Sequence, residues 1–461
     1  MSKDLFTTGL WAYLFPRHLL RSGWRVIVIT QWTGEEGSPQ LCTINEIHDR
    51  LRGISNDEVI VLPIQAEDSK GRKLINFALR AHQNADLSKL RMVRVALHAI
   101  GSFISAIALF TTGSTHTTGG GWTDPATRAA IRVSQLMKIK VALATSGWDS
   151  SIAARQFHKQ TSIPWVHFYQ DAWQMFLPRI ARPFYGVFYD SWVLPSAAAI
   201  CHCTPGWTRE TMLELRRPVA CVIGGYDAEY MANVEGSQFA RFTIVFAGSA
   251  EIRLHGGRDP KLLFDGLSRL ICENPELAGD LEILYIGWNQ DVFKKRATEA
   301  GVSERLRCLG TLKPEEVIPY LKGAQLLVLM LDQTVDYNIG RLTCKVSEYI
   351  GTDRPVLLLS QSDQGRETDL IRLIRDCGLG SVAQNLDDVV ITLKKLLQQY
   401  NAFGYTSRPG NGIYPLVDLS WQYQTQKLGL ILDSVARGER DPIVEDLAAE
   451  YPWSGISNTK I

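Results

Sequence analysis

From residue 242 onward, short apolar runs alternate with amphipathic segments, and this rhythm limits the folds open to the chain more than any other feature. The runs at 242–247 (FTIVFA), 281–287 (LEILYIG), 306–310, 326–331 and 356–359 read as strands buried on both faces. Between and after them the 3.6-residue pattern predicts helices over 261–272, 292–300, 314–322, the stretch around Lys345, 367–377 and 386–400. Strands separated by helices cannot pair as hairpins. They pair in parallel, with helices on both faces, which is a doubly wound α/β domain. Such a sheet binds its ligands at the carboxyl ends of its strands.

The first half repeats the theme less cleanly. Strands are predicted at 24–30, 59–62, 141–145, 165–169, 198–203 and 219–223, and helices at 10–21, 125–138, 150–159 and 208–215. Residues 31–57 read as polar and irregular, and 111–121 as a glycine-rich loop. A chain of 461 residues exceeds what one core supports. The boundary falls at the turn Gly224-Gly225-Tyr226-Asp227. The expected division is therefore a Rossmann-like domain over 1–223, a second over 224–410, a helix over 411–437 (periodic at 421–436) packing back on the first domain, and a charged tail over 438–461. Two such domains in sequence face each other across a cleft, a favoured place for a ligand.

The net charge of +1 gives no electrostatic footprint for nucleic acid. Eight cysteines without a CxxC pair fit a reducing compartment. The run Cys201-His202-Cys203 ends an apolar segment and lacks a second ligand pair, so it reads as buried strand, not as a metal site. The first twenty residues lack a basic start, an apolar stretch and a small-residue cleavage site, so no signal peptide is expected. Residues 92–110 (MVRVALHAIGSFISAIALF) are nearly long enough to cross a bilayer, but Arg94 and His98 interrupt them. They are expected to form a buried or membrane-surface helix.

The stretch Gly340-Arg341-Leu342-Thr343-Cys344-Lys345-Val346-Ser347-Glu348-Tyr349-Ile350-Gly351 follows a polar loop and leads into Arg354-Pro355-Val356. Lys345 and Glu348 stand three apart and share a helix face. A helix start offers backbone N–H groups to a phosphate. Lys345 adds a full positive charge, and Glu348 can accept hydrogen bonds from the two hydroxyls of a ribose. A nucleoside diphosphate suits that pairing. A surface ion pair on an amphipathic helix is the other reading, and the residues alone do not decide between them.

The order of motifs resembles the nucleotide-sugar-dependent glycosyltransferases of the GT-B fold. The likeness is to the large retaining family that includes sucrose synthase and bacterial polysaccharide enzymes. Its T-x-K-x-x-E-Y-L-x-x-x-R-P-V/I-L segment is matched by TCKVSEYIGTDRPVL. Upstream, Asp124-Pro125, Thr145-Ser146, Ile152-Ala153, Ile163-Pro164-Trp165-Val166 and Asp171-Ala172-Trp173 are similar to a subgroup pattern. Ile223-Gly224-Gly225-Tyr226-Asp227 resembles the turn that opens the second domain, and Phe246-Ala247-Gly248 with Gly257-Arg258-Asp259-Pro260 the approach to its first helix. The resemblance implies that Glu348 holds the donor ribose. It sets Lys345 and Arg258 against the diphosphate, with Gly340 and Arg341 at the helix start. Thr311 and Leu312 line the base, and Thr8-Gly9 forms a loop near sugar and phosphates. Asp171 touches the acceptor or the sugar. Arg258 reads equally as a helix cap, and Asp171 as the N-cap of a following helix.

What the resemblance implies is an α/β GT-B protein acting as a metal-independent retaining glycosyltransferase, with no cofactor. Its partners are a nucleotide-diphosphate sugar donor and a polysaccharide or lipid-linked acceptor, with peripheral contact at the inner face of the plasma membrane and no nucleic acid. Three departures stand out. The acidic residue frequent eight positions before the Glu348 equivalent is Gly340 here, with Asp336 out of register. Gln170 replaces a basic residue before Asp171. A first strand should precede Gly9, yet residues 1–6 make a poor one, so that strand is expected to be missing. These departures point to the alternative of a non-catalytic or truncated homologue that binds a nucleotide sugar or a partner. A weaker alternative, a UDP-sugar 2-epimerase, shares the fold, but its acidic pair is not found.

Overall fold

The computed structural model describes residues 7–31, 40–52, 58–67, 121–145, 148–171, 189–253, 256–331, 340–360, 368–410, 412 and 416–442. The apolar segment 92–110, the glycine-rich stretch 111–120, residues 1–6, Ala172-Trp173, Asp336 and the tail beyond 442 lie outside them. The chain separates into two compact units. One comprises Met1–Cys203, Thr208–Val222 and Thr425–Val444; the other is built on Thr204–Trp207 and Ile223–Gln424.

In the first unit, α1 (Thr7–Arg21) precedes β1 (Ile27–Gln31), which pairs in parallel with β2 (Ile60–Ile64). Between them α2 (Ile47–Arg52) interrupts a stretch expected to be irregular, because Ile47 and Leu51, one helical turn apart, are both buried. After α3 (Thr123–Leu136) come β3 (Ala142–Thr145), α4 (Trp148–Thr161), β4 (Trp165–Tyr169), β5 (Ala199–His202), α5 (Pro205–Leu215), whose first turn through Trp207 belongs to the second unit, and β6 (Ala220–Cys221). These four strands form a parallel sheet in the order β3-β4-β5-β6. All five residues of β4 are buried, as expected for a strand covered on both faces. Cys201 and His202 form the buried end of β5, and Cys203, also buried, follows it.

In the second unit a short helix, α6 (Ala228–Asn233), is capped by Asp227, whose Oδ1 accepts from the Tyr230 N–H. Then follow β7 (Phe242–Ala247), an antiparallel hairpin of β8 (Glu251–Arg253) and β9 (Gly256–Arg258), and α7 (Lys261–Glu273). The alternation continues through β10 (Leu281–Ile286), α8 (Gln290–Glu299), β11 (Leu306–Gly310), α9 (Pro314–Gly323), β12 (Leu326–Met330), α10 (Cys344–Ile350) and β13 (Val356–Leu359). It ends with α11 (Asp369–Asp376), β14 (Gly380–Ala383) and α12 (Leu386–Phe403). The terminal helix α13 spans Trp421–Ala436, and from Thr425 on it belongs to the first unit.

The six parallel strands lie in the order β11-β10-β7-β12-β13-β14. Numbered within the unit, this is 3-2-1-4-5-6, the doubly wound dinucleotide-fold order, and its direction reverses between β7 and β12. One core face joins Phe246, Tyr285 and Phe293, with Tyr285 and Phe293 stacked at 4.1 Å between ring centroids. The sheet's last helix, α12, starts at a capping box of Asn385 and Asp388 and stops at Gly404, whose φ of 74° suits a residue without Cβ.

Candidate functional site

The reversal of strand order between β7 and β12 fixes where a ligand would bind in the second unit, because the connections leave those two strands in opposite directions. The β7–β12 ladder holds two register pairs, Ile244↔Leu326 and Val245↔Leu327. Just beyond it Tyr349 enters from α10. Its Oη accepts from the Ala247 N–H and donates to the Val328 carbonyl, both at 3.2 Å. Tyr349 is fully buried, and burial pushes its phenol pKa upward. The helix bearing Lys345 and Glu348 is thus fastened across the switch point by the residue next to Glu348.

Two further contacts hold α10. Ser347 Oγ donates to the Gly224 carbonyl at 3.0 Å. At the other end Arg408 donates through Nη2 to the Tyr349 and Ile350 carbonyls (2.7 and 2.8 Å) and through Nε to Arg354 O (3.1 Å). A helix of seven residues has little stability of its own, so these contacts, and not propensity, set where its side chains stand.

Lys345 Nζ meets Glu348 Oε2 at 2.8 Å, with the two side chains 33% and 21% exposed. The expected pair therefore forms. A partly exposed i,i+3 pair contributes only about 0.2–0.5 kcal/mol, so a ligand that offers Lys345 a phosphate and Glu348 a hydroxyl can replace it at small cost. The N-cap residue Thr343 makes no side-chain bond to the first turn. Its Oγ1 is buried with no partner among the described residues.

Gly340 is buried, and a Cβ there would stand 2.4 Å from Trp207 Cδ1 and 2.7 Å from the Trp207 nitrogen. No side chain fits. Arg341 follows it and is partly buried. Arg258 ends β9 and donates from Nη1 to Ser249 Oγ at 2.8 Å, in the loop that leaves β7. The N-cap position of α7 is Pro260, not Arg258, and Asp259 Oδ1 takes the Lys261 N–H. Thr311, exposed, and Leu312, partly buried, follow Gly310 at the end of β11.

The remaining two expected residues belong to the first unit. Gly9 lies in the first turn of α1 and not in a loop; farther along the same helix Leu14, Phe15 and Leu19 are buried on one face. Asp171 is exposed two residues beyond β4, and the helix it was expected to cap lies outside the described residues. Close to that strand end, His167 Nδ1 and Ser151 Oγ are 2.8 Å apart, and Tyr169 stacks on His202 at 5.2 Å. Burial lowers both histidine pKa values to about 3. Among the described residues no three of His, Cys, Asp and Glu gather into a group able to hold a metal ion. No described helix is long and apolar enough to cross a membrane.

Sequence reasoning passed over Tyr349, Ser347 and Arg408 as supports of the pair. Tyr349 was visible as the aromatic beside Glu348 on the buried side of the helix. Arg408, about sixty positions away, carried no local signal.

No family model matches the chain, and no curated protein matches it. Solved structures do resemble it. Sucrose-phosphate synthase from Thermosynechococcus elongatus shares 13% identity, with 94% of each chain covered and a TM-score of 0.53. The apo lipopolysaccharide outer core galactosyltransferase WaaB shares 12%, covering 88% of this chain and 99% of that one, at 0.47. An α,α-trehalose-phosphate synthase from Burkholderia vietnamiensis shares 10%, covering 90% and 99%, at 0.48. At such identities the first of these speaks to fold, and it agrees with the strand order above: the chain has the α/β GT-B fold, built of Rossmann-like units.

Proposed function

We propose that this chain is a glycosyltransferase that moves a sugar from a nucleoside-diphosphate sugar to a polysaccharide or lipid-linked acceptor, with retention and without a required metal. The observation that carries the proposal is α10, which holds Lys345 and Glu348 and is fastened by Tyr349 across the point where the sheet order reverses.

In this reading Glu348 accepts the ribose hydroxyls, and Lys345 turns from Glu348 to the diphosphate. Arg258 and the chain at Gly340-Arg341 add positive charge and backbone N–H groups, and Thr311 and Leu312 border the base. As the C1–O bond breaks, negative charge grows on the leaving phosphate while the sugar becomes oxocarbenium-like. Fixed cations already in place stabilise that charge without reorganising, and removing one such donor commonly costs ~10²–10³ in rate. Asp171, in the first unit, is assigned to the acceptor or the sugar. The acceptors of this class imply work at the inner face of the plasma membrane.

A second reading, nucleotide-sugar binding without turnover, is favoured by Gly340. Its packing on Trp207 leaves no room for an acidic side chain at that position. Both readings meet one experiment, calorimetry of the purified chain with UDP and GDP against Glu348→Ala. Tight binding of one nucleotide, lost in the variant, is expected. A folded protein that binds neither overturns the proposal. Donor turnover that persists in EDTA then separates the transferase from the binding protein, and turnover that returns only with Mn²⁺ removes metal independence.

A further inference from the structure

Eight large apolar side chains are exposed among the described residues, and seven of them sit on helices, short helical turns or the turn after α12. Trp288 is the exception. It stands in the loop leaving the carboxyl end of β10, 68% exposed. Among the described residues no aromatic ring or cation lies against it, whereas exposed Trp192 has the Arg155 guanidinium 3.9 Å over its ring. Single exposed apolar residues are ordinary on a surface. An indole left open at the ligand-binding edge of a parallel sheet, on a rigid ledge, is not.

The ledge is rigid because its backbone is held on both sides of Trp288. The Gly287 N–H donates to Gly310 O at 2.9 Å, and a Cβ on Gly287 would lie 2.0 Å from Gly248 O. After Trp288, the Asn289 N–H reaches Tyr285 Oη (3.3 Å), and Asn289 Nδ2 donates to Ala250 O (2.8 Å). The loops leaving β7, β10 and β11 are thereby tied together at the end of the sheet. Beside Trp288, the Gln290 amide nitrogen comes within 3.1 Å of the place a Cβ on Gly310 would fill. Gln290 also lines a cavity of about 450 Å³ that Lys294, Thr298 and Cys308 share.

We infer that the Trp288 indole is the platform on which the base of the bound nucleotide stacks, with the Gln290 amide at the base edge. This rests on the donor reading above. The chemistry is that of a planar heterocycle: an open indole face gives stacking area at the cost of ordering two side-chain torsions only, because its backbone is already fixed. An amide offers one acceptor and two donors to the polar edge of a base. The missing side chain at Gly310, with φ of 77°, keeps the approach beside Thr311 open.

Calorimetry with UDP or GDP, whichever the chain binds, and with inorganic pyrophosphate as the base-free probe tests this. Trp288→Ala is expected to weaken nucleotide binding about 10- to 100-fold and to leave pyrophosphate binding unchanged. Trp288→Tyr is expected to recover most of the nucleotide affinity, and Gln290→Ala to lose a smaller part. Nucleotide binding undiminished in Trp288→Ala but lost in Glu348→Ala overturns the platform and keeps the donor site. Equal losses for nucleotide and pyrophosphate overturn it as well, since stacking cannot act on a ligand without a ring. A folded wild-type chain that binds neither nucleotide removes the donor reading, and the platform with it.

Discussion

At the scale of single residues, Gly340 is an exacting position beside the candidate site. Its neighbours are the indole and the backbone nitrogen of Trp207, itself buried. A methyl group there meets an atom that cannot move without moving the chain. Gly340→Ala is therefore expected to destabilise the protein by about 1–3 kcal/mol, the usual cost of overfilling a packed site. A urea midpoint lowered with an unchanged slope is the result to look for, and an unchanged midpoint contradicts the packing. In the sequence Gly340 was legible only as a departure from an acidic residue. The reason for it, a tryptophan 133 positions earlier (340 minus 207), is a tertiary contact that no local pattern encodes. Lys345 and Glu348 were legible because their spacing alone puts them on one helix face.

At the scale of elements, the sheet of the second unit was legible where its strands are apolar and buried along their length: β7 and β13 have the bounds that their sequences imply. Edge strand β11, with Arg307 inside it and no fully buried residue, was read from its place between two helices. β14 (GSVA) went unread because an edge strand of small and polar residues has no apolar run. The β8–β9 hairpin went unread because Arg253 and Arg258 lie within it and Gly256-Gly257 reads as loop. What no strand pattern shows is how α10 is attached. Tyr349→Phe keeps the buried ring and removes only the oxygen shared by the Ala247 N–H and the Val328 carbonyl. Leaving buried backbone groups unpaired costs about 1–3 kcal/mol. The variant is expected to show that loss in urea unfolding. It should also bind nucleotide more weakly, because α10 loses its fastening at the switch point. Full nucleotide affinity in a measurably destabilised variant means that Ser347 and Arg408 place the helix without the tyrosine.

At the scale of the whole molecule, the two units differ in how acid reaches them. His167 and His202 are in the first unit, on neighbouring strands, with rings packed around Tyr169. Nearby Ser151 Oγ shares a hydrogen bond with His167, and the Cys203 N–H donates to His202 Nδ1. Both rings are held neutral by burial, with pKa values lowered to about 3. An unfolded chain protonates histidine near pH 6.5. Between about pH 6.5 and pH 3 the unfolded state thus binds protons that the folded state refuses, so stability falls as the pH falls through that window and is complete above it. Each histidine contributes a slope of up to about 1.4 kcal/mol per pH unit. The second unit's 223–424 core contains one histidine, His255. Urea unfolding followed from pH 7 to pH 4 is expected to lose stability steeply in the wild type and less so in the His167→Gln/His202→Gln double variant. Nucleotide binding, assigned to the second unit, should outlast the first unit's loss of structure as the pH is lowered. Equal slopes in wild type and double variant would mean that carboxylates, not these rings, set the acid limit of the fold.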